Sequence, residues 1–141
     1  MTSSSTLLTA LAEHDQRMCC AYDLYTEQFI YRNAAFNSFF AALGNDITLK
    51  GLFASVHPDD QGYLAACYRL MEPGVLTGNI DFRFYLPVDK EFSLRLSMFF
   101  NDVPDERHIF TAYLEDISAF KAHSDKLNEF ANKKNAVLNI L

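Results

Sequence analysis

The chain has 141 residues, half of them hydrophobic and 14% aromatic, which is enough apolar side chain for one buried core and excludes a disordered or low-complexity chain. Twelve Lys and Arg against 18 Asp and Glu give a net charge of -6 with no basic stripe, so the electrostatic footprint of a nucleic-acid binder is missing. No apolar run reaches bilayer length, the Ser/Thr-rich start lacks the charge and apolar stretch of a secretion signal, and three Cys cannot all pair within one monomer, so the expected setting is a reducing cytoplasm without a membrane partner.

From Thr6 to Gln16, Leu7, Leu8 and Leu11 share one helical face behind a Ser/Thr cluster suited to capping, which predicts a short amphipathic lead-in helix. Met18 to Tyr25 and Phe29 to Tyr31 are strand-like on either side of the polar Thr26-Glu27-Gln28 and predict a hairpin. Asn33 opens a helix from Ala34 to Leu43, where Phe36, Phe39, Phe40 and Leu43 recur at helical spacing and Gly44-Asn45 supplies the stop. Asp46 to Val56 reads as a loop or short helix. In His57-Pro58-Asp59-Asp60, a Pro at the first helical position and two carboxylates in the first turn open a helix running to about Met71. Its buried side is Leu64, Cys67, Tyr68 and Met71, and Glu72-Pro73-Gly74 ends it.

The period then changes from 3.6 to 2. Ile80, Phe82, Phe84 and Leu86 alternate with Asp81, Arg83 and Tyr85, and Phe92, Leu94, Leu96, Met98 and Phe100 alternate with Ser93, Arg95, Ser97 and Phe99. A third strand from about Arg107 to Ile117 follows a short turn, so the second half is an antiparallel sheet. From Ser118 to Leu141 no Gly or Pro occurs. Phe120, Leu127, Phe130, Val137, Leu138 and Leu141 fall near a 3.5-residue repeat, weakened by polar Ser124 and Lys134, which predicts an exit helix that pairs only with help.

Strand hairpin, helices, three antiparallel strands and an exit helix make an α+β layout, a five-stranded sheet with helices on one face. Together with four local marks this order resembles a PAS domain. The marks are Phe29-Ile30-Tyr31-Arg32-Asn33-Ala34-Ala35-Phe36, Val56-His57-Pro58-Asp59-Asp60, Asp81-Phe82-Arg83 and Leu114-Glu115-Asp116-Ile117-Ser118. The expected division is a lead-in helix over 1–17, a PAS sensor over 18–117 and a signalling helix over 118–141. The last segment is similar to the helix that enters the dimerisation bundle of a sensor histidine kinase, with the phospho-accepting His motif absent. The resemblance therefore implies the sensory and dimerising part of a two-component kinase, itself not an enzyme, with the kinase domain outside these residues. The alternatives are a ligand-free protein-interaction module and a sensor for a nucleotide cyclase or transcription regulator.

Candidate site residues follow from these elements. Phe36, Phe40, Phe53, Leu64, Cys67, Phe82, Phe84 and Phe100, with Phe39 and Phe110, either line a cavity for a small apolar ligand or fill it, and because large rings pack densely a filled core is the expectation. Asp116, Ile117 and Ser118 stand where the sheet hands over to the exit helix, Ser118 as its cap, and are the candidates for signal coupling. Leu7, Leu8, Leu11, Phe120, Leu127, Phe130 and Leu138 are the expected contacts of a parallel homodimer.

Several temptations have plainer explanations. His57 is expected to cap a helix, and no second ligand stands at metal spacing around it. The long helix carries no His, which disfavours the haem of some PAS domains. The Asn-Cys-Arg-Phe-Leu-Gln motif of flavin-bonding relatives is missing, so Cys67 is expected to pack as a small hydrophobe. No cofactor and no metal is the expectation. Cys19 and Cys20 point to opposite faces of a strand and are structural. Arg83 and Arg95 occupy the polar alternation and are expected to be solvated. A cavity carboxylate enzyme finds no support, since Asp81 and Glu91 also lie in that alternation.

Overall fold

Period-two alternation in the second half produces three strands that pair in sequence, β3 (Thr77–Leu86), β4 (Lys90–Phe100) and β5 (Ile109–Asp116). The first half contributes the hairpin β1 (Met18–Asp23) and β2 (Gln28–Arg32), and β1 joins the free side of β5. The result, in a computed structural model describing residues 4–87 and 90–140 (side chains for 6–87 and 90–132), is a five-stranded antiparallel sheet ordered β2-β1-β5-β4-β3. Register aligns the apolar positions on one face, with Phe82 opposite Leu94, Leu96 opposite Leu114, Met98 opposite Ala112, and Cys20 opposite the same Ala112.

Among the described residues there are five α-helices: α1 (Ser4–His14), α2 (Ala34–Phe39), α3 (Leu49–Ala54), α4 (Pro58–Arg69) and α5 (Ser118–Ile140). Local chemistry starts three of them. The Asn33 side chain accepts from Phe36 N at 3.0 Å, Thr48 Oγ1 from Gly51 N at 3.0 Å, and His57 Nδ1 from Asp59 N at 3.0 Å. Phe36 and Phe40 of the α2 region and Val56 before α4 are buried in one core with Ile80, Phe82, Phe84, Leu94, Leu96, Met98, Phe110, Ala112 and Leu114. Half-buried Leu49, Leu52, Leu64 and Tyr68 pack on it from α3 and α4.

Element ends differ from the sequence reading where turns intervene. The expected helix 34–43 breaks at Phe40 (φ -95, ψ 13), and Ala41–Leu43 continue as a 3₁₀ turn. α4 stops at Arg69, because after Leu70 the chain must turn back toward the sheet. That turn requires its glycine: Gly74 has φ +79, donates to Phe100 O at 2.8 Å, and an added Cβ would meet the Asp102 side chain at 2.9 Å. The segment Ser55–His57 pairs along the outer side of β3 through Tyr85 N to Ser55 O (2.9 Å) and His57 N to Arg83 O (2.8 Å), covering part of that sheet edge.

Candidate functional site

Between the sheet and α2, α3 and α4 lies a cavity of about 430 Å³, within the usual range of small-molecule sites. The filled core expected from the aromatic content is therefore corrected. Rings brace one another at the sides of the space, Phe36 on Phe40 at 4.5 Å, Phe39 on Phe40 at 4.9 Å and Phe40 on Phe84 at 5.6 Å between centroids, and such tilted and edge-on contacts hold large side chains apart as well as together. Among the candidates, Phe36, Phe40, Phe53, Leu64, Phe82 and Phe84 line the cavity, as does Phe110. Phe100, Cys67 and Phe39 are not among its walls. They pack half-buried around the core, Phe100 against Tyr68 and Phe110, and Phe39 against Phe92.

The sheet supplies further wall residues that the sequence reading did not single out, Cys20, Tyr22, Leu94, Leu96, Met98, Ala112 and Leu114. Their signal was present, since each lies on the apolar alternation of its strand. The interior is almost wholly hydrocarbon. Its neutral polar groups are the Cys20 thiol and the Tyr22 and Tyr68 hydroxyls, and no His, Asn or Gln of the described residues lines it. Burial pushes the Cys20 thiol up to about 12 and raises Tyr68, so both stay protonated. Three charged residues, Glu27, Lys50 and Arg69, are the exposed members of the lining and mark where the cavity meets solvent.

Two cavity strands lead directly to the exit helix. Leu94 and Leu114 line the cavity, Leu94 pairs with Asp116, and the neighbouring Ser93 holds the start of α5 from both sides of its peptide. Ser93 N donates to Ser118 Oγ at 2.9 Å, and Ile117 N donates to Ser93 O at 2.9 Å. Asp116 Oδ1 accepts from Ser118 N at 3.0 Å and from Ser118 Oγ at 2.6 Å, while Ile117 is buried. The capping duty expected of Ser118 thus falls to Asp116, because the serine hydroxyl is turned across to β4.

Asn33 does at the other end of the chain what Ser93 does here. Fully buried, it accepts on Oδ1 from Cys19 N and Phe36 N, both at 3.0 Å, and donates from Nδ2 to Ala12 O at 2.9 Å and Arg17 O at 2.8 Å. One amide therefore joins the end of α1, the start of β1 and the cavity helix α2. Its capping of α2 is local and visible in the sequence, whereas its reach to α1 depends on a fold-back of the chain.

The remaining polar candidates are structural. Asp60, expected to face the helix dipole, is turned to β3, where it accepts from Arg83 N (2.8 Å), Nε (3.0 Å) and, through Oδ1, Nη2 (2.9 Å). Those donors hold its carboxyl down to about 2. Arg95 likewise pairs with Asp81 at 2.8 Å, so both arginines are paired rather than simply solvated. His57 caps α4. Cys19 and Cys20 point to opposite faces, Cys20 into the core and Cys19 toward Arg17 O at 3.6 Å. Among the described residues no group of three His, Cys, Asp or Glu is placed to hold a metal ion, and no helix is long and apolar enough to cross a membrane.

At the chain ends, Leu7, Leu8 and Leu11 on α1 and Phe120, Leu127 and Phe130 on α5 are all more than half exposed. Leu138, expected in the same seam, lies outside the residues whose side chains are described.

No protein-family model and no curated protein matches the chain. Its fold is matched by solved structures. A structure of an RNA-binding light-oxygen-voltage receptor superposes with a TM-score of 0.70 at 15% identity, covering 94% of this chain; the chain spans 38% of that receptor. A sensory box histidine kinase/response regulator from Burkholderia thailandensis gives 0.63 at 14% identity, over 95% of this chain and 99% of that one. The N-terminal domain of a diguanylate cyclase with PAS/PAC sensor from Marinobacter aquaeolei gives 0.62 at 18% identity, over 74% and 98%. The chain has the PAS fold.

Proposed function

We propose that this chain is the sensory module of a signalling protein, in which occupation of the apolar cavity alters the junction between sheet and exit helix. The observation that carries this reading is the shared use of Leu94 and Leu114: both touch the cavity, and the residues beside them, Ser93 and Asp116, hold the first turn of α5. A ligand pressing on this wall acts through one peptide link on the bonds that orient the helix. Two copies pair in parallel through the exposed apolar residues of α1 and α5, so a change in helix angle becomes a change in the geometry of a pair. The output is a histidine kinase, in keeping with the resemblance of α5 and the likeness to a sensory box kinase. A cyclase output is the second reading, favoured by the likeness to a diguanylate cyclase sensor.

Native mass spectrometry of the purified chain tests both parts. The expected spectrum is a dimer that carries, or takes up on addition of apolar small molecules, extra mass that a cavity-filling Ala112→Phe variant cannot hold. A chain that never carries added mass would leave a protein-interaction module instead of a sensor.

A further inference from the structure

Within the sensory reading, the chemistry of the cavity selects a ligand class. Its interior offers hydrocarbon, two tyrosine hydroxyls and a thiol kept neutral by burial, so a charge carried inside would be desolvated without a partner. Its exposed rim is different. Lys50 on α3 and Arg69 in the last turn of α4 both line the cavity, and among the described residues neither has an ion-pair partner within 4.0 Å. Arg83 on β3 and Arg95 on β4, by contrast, are already engaged by carboxylates. The chain as a whole is acidic, at -6, and disfavours anions over most of its surface.

Glu27 is the third charged residue of the rim. Two cations against this one carboxylate leave the rim with a single positive charge. One negative charge on a ligand completes it, whereas a doubly charged phosphate monoester would exceed it. We infer that the cavity takes an apolar monocarboxylic acid, its hydrocarbon or aromatic body enclosed between the sheet and the helices and its carboxylate held at the rim by Lys50 and Arg69. Charge-assisted bonds from these donors fix the orientation, and the apolar walls supply the greater part of the binding.

The inference rests on the cavity being a ligand site, and calorimetric titration with decanoate and with decanol separates the two. The alkyl bodies are alike and only the head group differs. The expected result is that decanoate binds about tenfold or more tightly than decanol, and that Lys50→Ala/Arg69→Ala removes this preference. Both positions are exposed, and circular dichroism of the variant checks that it folds. Equal binding of the two probes would overturn the carboxylate inference and leave the cavity reading standing. A preference for decanoate that survives the double substitution would overturn the assignment to Lys50 and Arg69. Failure of both probes to bind would count against the inference and against the cavity as a ligand site.

Discussion

Asp60 ties the first turn of α4 to β3 through both oxygens of its carboxylate, which accept from Arg83 N, Nε and Nη2. Its place in the first turn of a Pro-initiated helix suggests a dipole role, and nothing local in the sequence names Arg83, which arrives 23 residues later through the register of β3. The bidentate pair lowers the Asp60 carboxyl from 3.8 to about 2. A carboxylate whose folded value lies below its unfolded value contributes stability above the unfolded value, and that contribution disappears as pH falls from about 4 toward 2. Because the Arg83 side chain is 40% exposed, solvent screening reduces the contribution to about 1–2 kcal/mol. Asp60→Asn is therefore expected to be less stable than the parent chain by about that amount near neutral pH, with the gap closing by about pH 2, measured by urea unfolding across the pH range. A gap independent of pH would refute the ionic origin. The cavity marks the opposite limit of legibility, since the same phenylalanines that could fill a core also line a space, and a residue list carries no information about the few ångströms between rings.

At the scale of elements, alternation made β3 and β4 visible from Ile80 to Phe100, and Pro58 and Asn33 made two helix starts visible. The junction of β5 with α5 was visible in position but not in wiring. Which of Asp116 and Ser118 caps the helix is decided by Ser93, a residue of another strand. Ser118→Ala removes the acceptor for Ser93 N and the donor to Asp116, and is expected to cost about 1 kcal/mol, concentrated at this joint. Hydrogen exchange is the measurement: the amides of Ser93 and Ile117 should exchange faster in the variant, with those of Leu96 and Met98 in the middle of β4 unchanged. Uniform acceleration along β4 would mean that the serine supports the whole sheet and has no special hold on the helix.

For the whole molecule, six of the large apolar residues that the fold leaves uncovered lie on its first and last helices. A monomer that exposes Leu7, Leu8 and Leu11 on one helix and Phe120, Leu127 and Phe130 on another pays for it in solubility, and a second copy offers the same surface in return. Sedimentation equilibrium should find the chain dimeric and Phe130→Glu shifted toward monomer, without loss of fold because Phe130 is 68% exposed. A Phe130→Glu variant that stays dimeric would place the interface elsewhere.

The register of the central strands has a mechanical meaning. Met18, the first residue of β1, pairs with Leu114 near the end of β5, so the chain arrives from α1 and departs into α5 at the same end of one antiparallel pair. Tension between the two helices would load the hydrogen bonds of β1 and β5 one after another, as a zip opens, and not together in shear. The domain hangs beside the line that joins its two helices, so a twist or a pull carried along that line meets the softest direction of the sheet first.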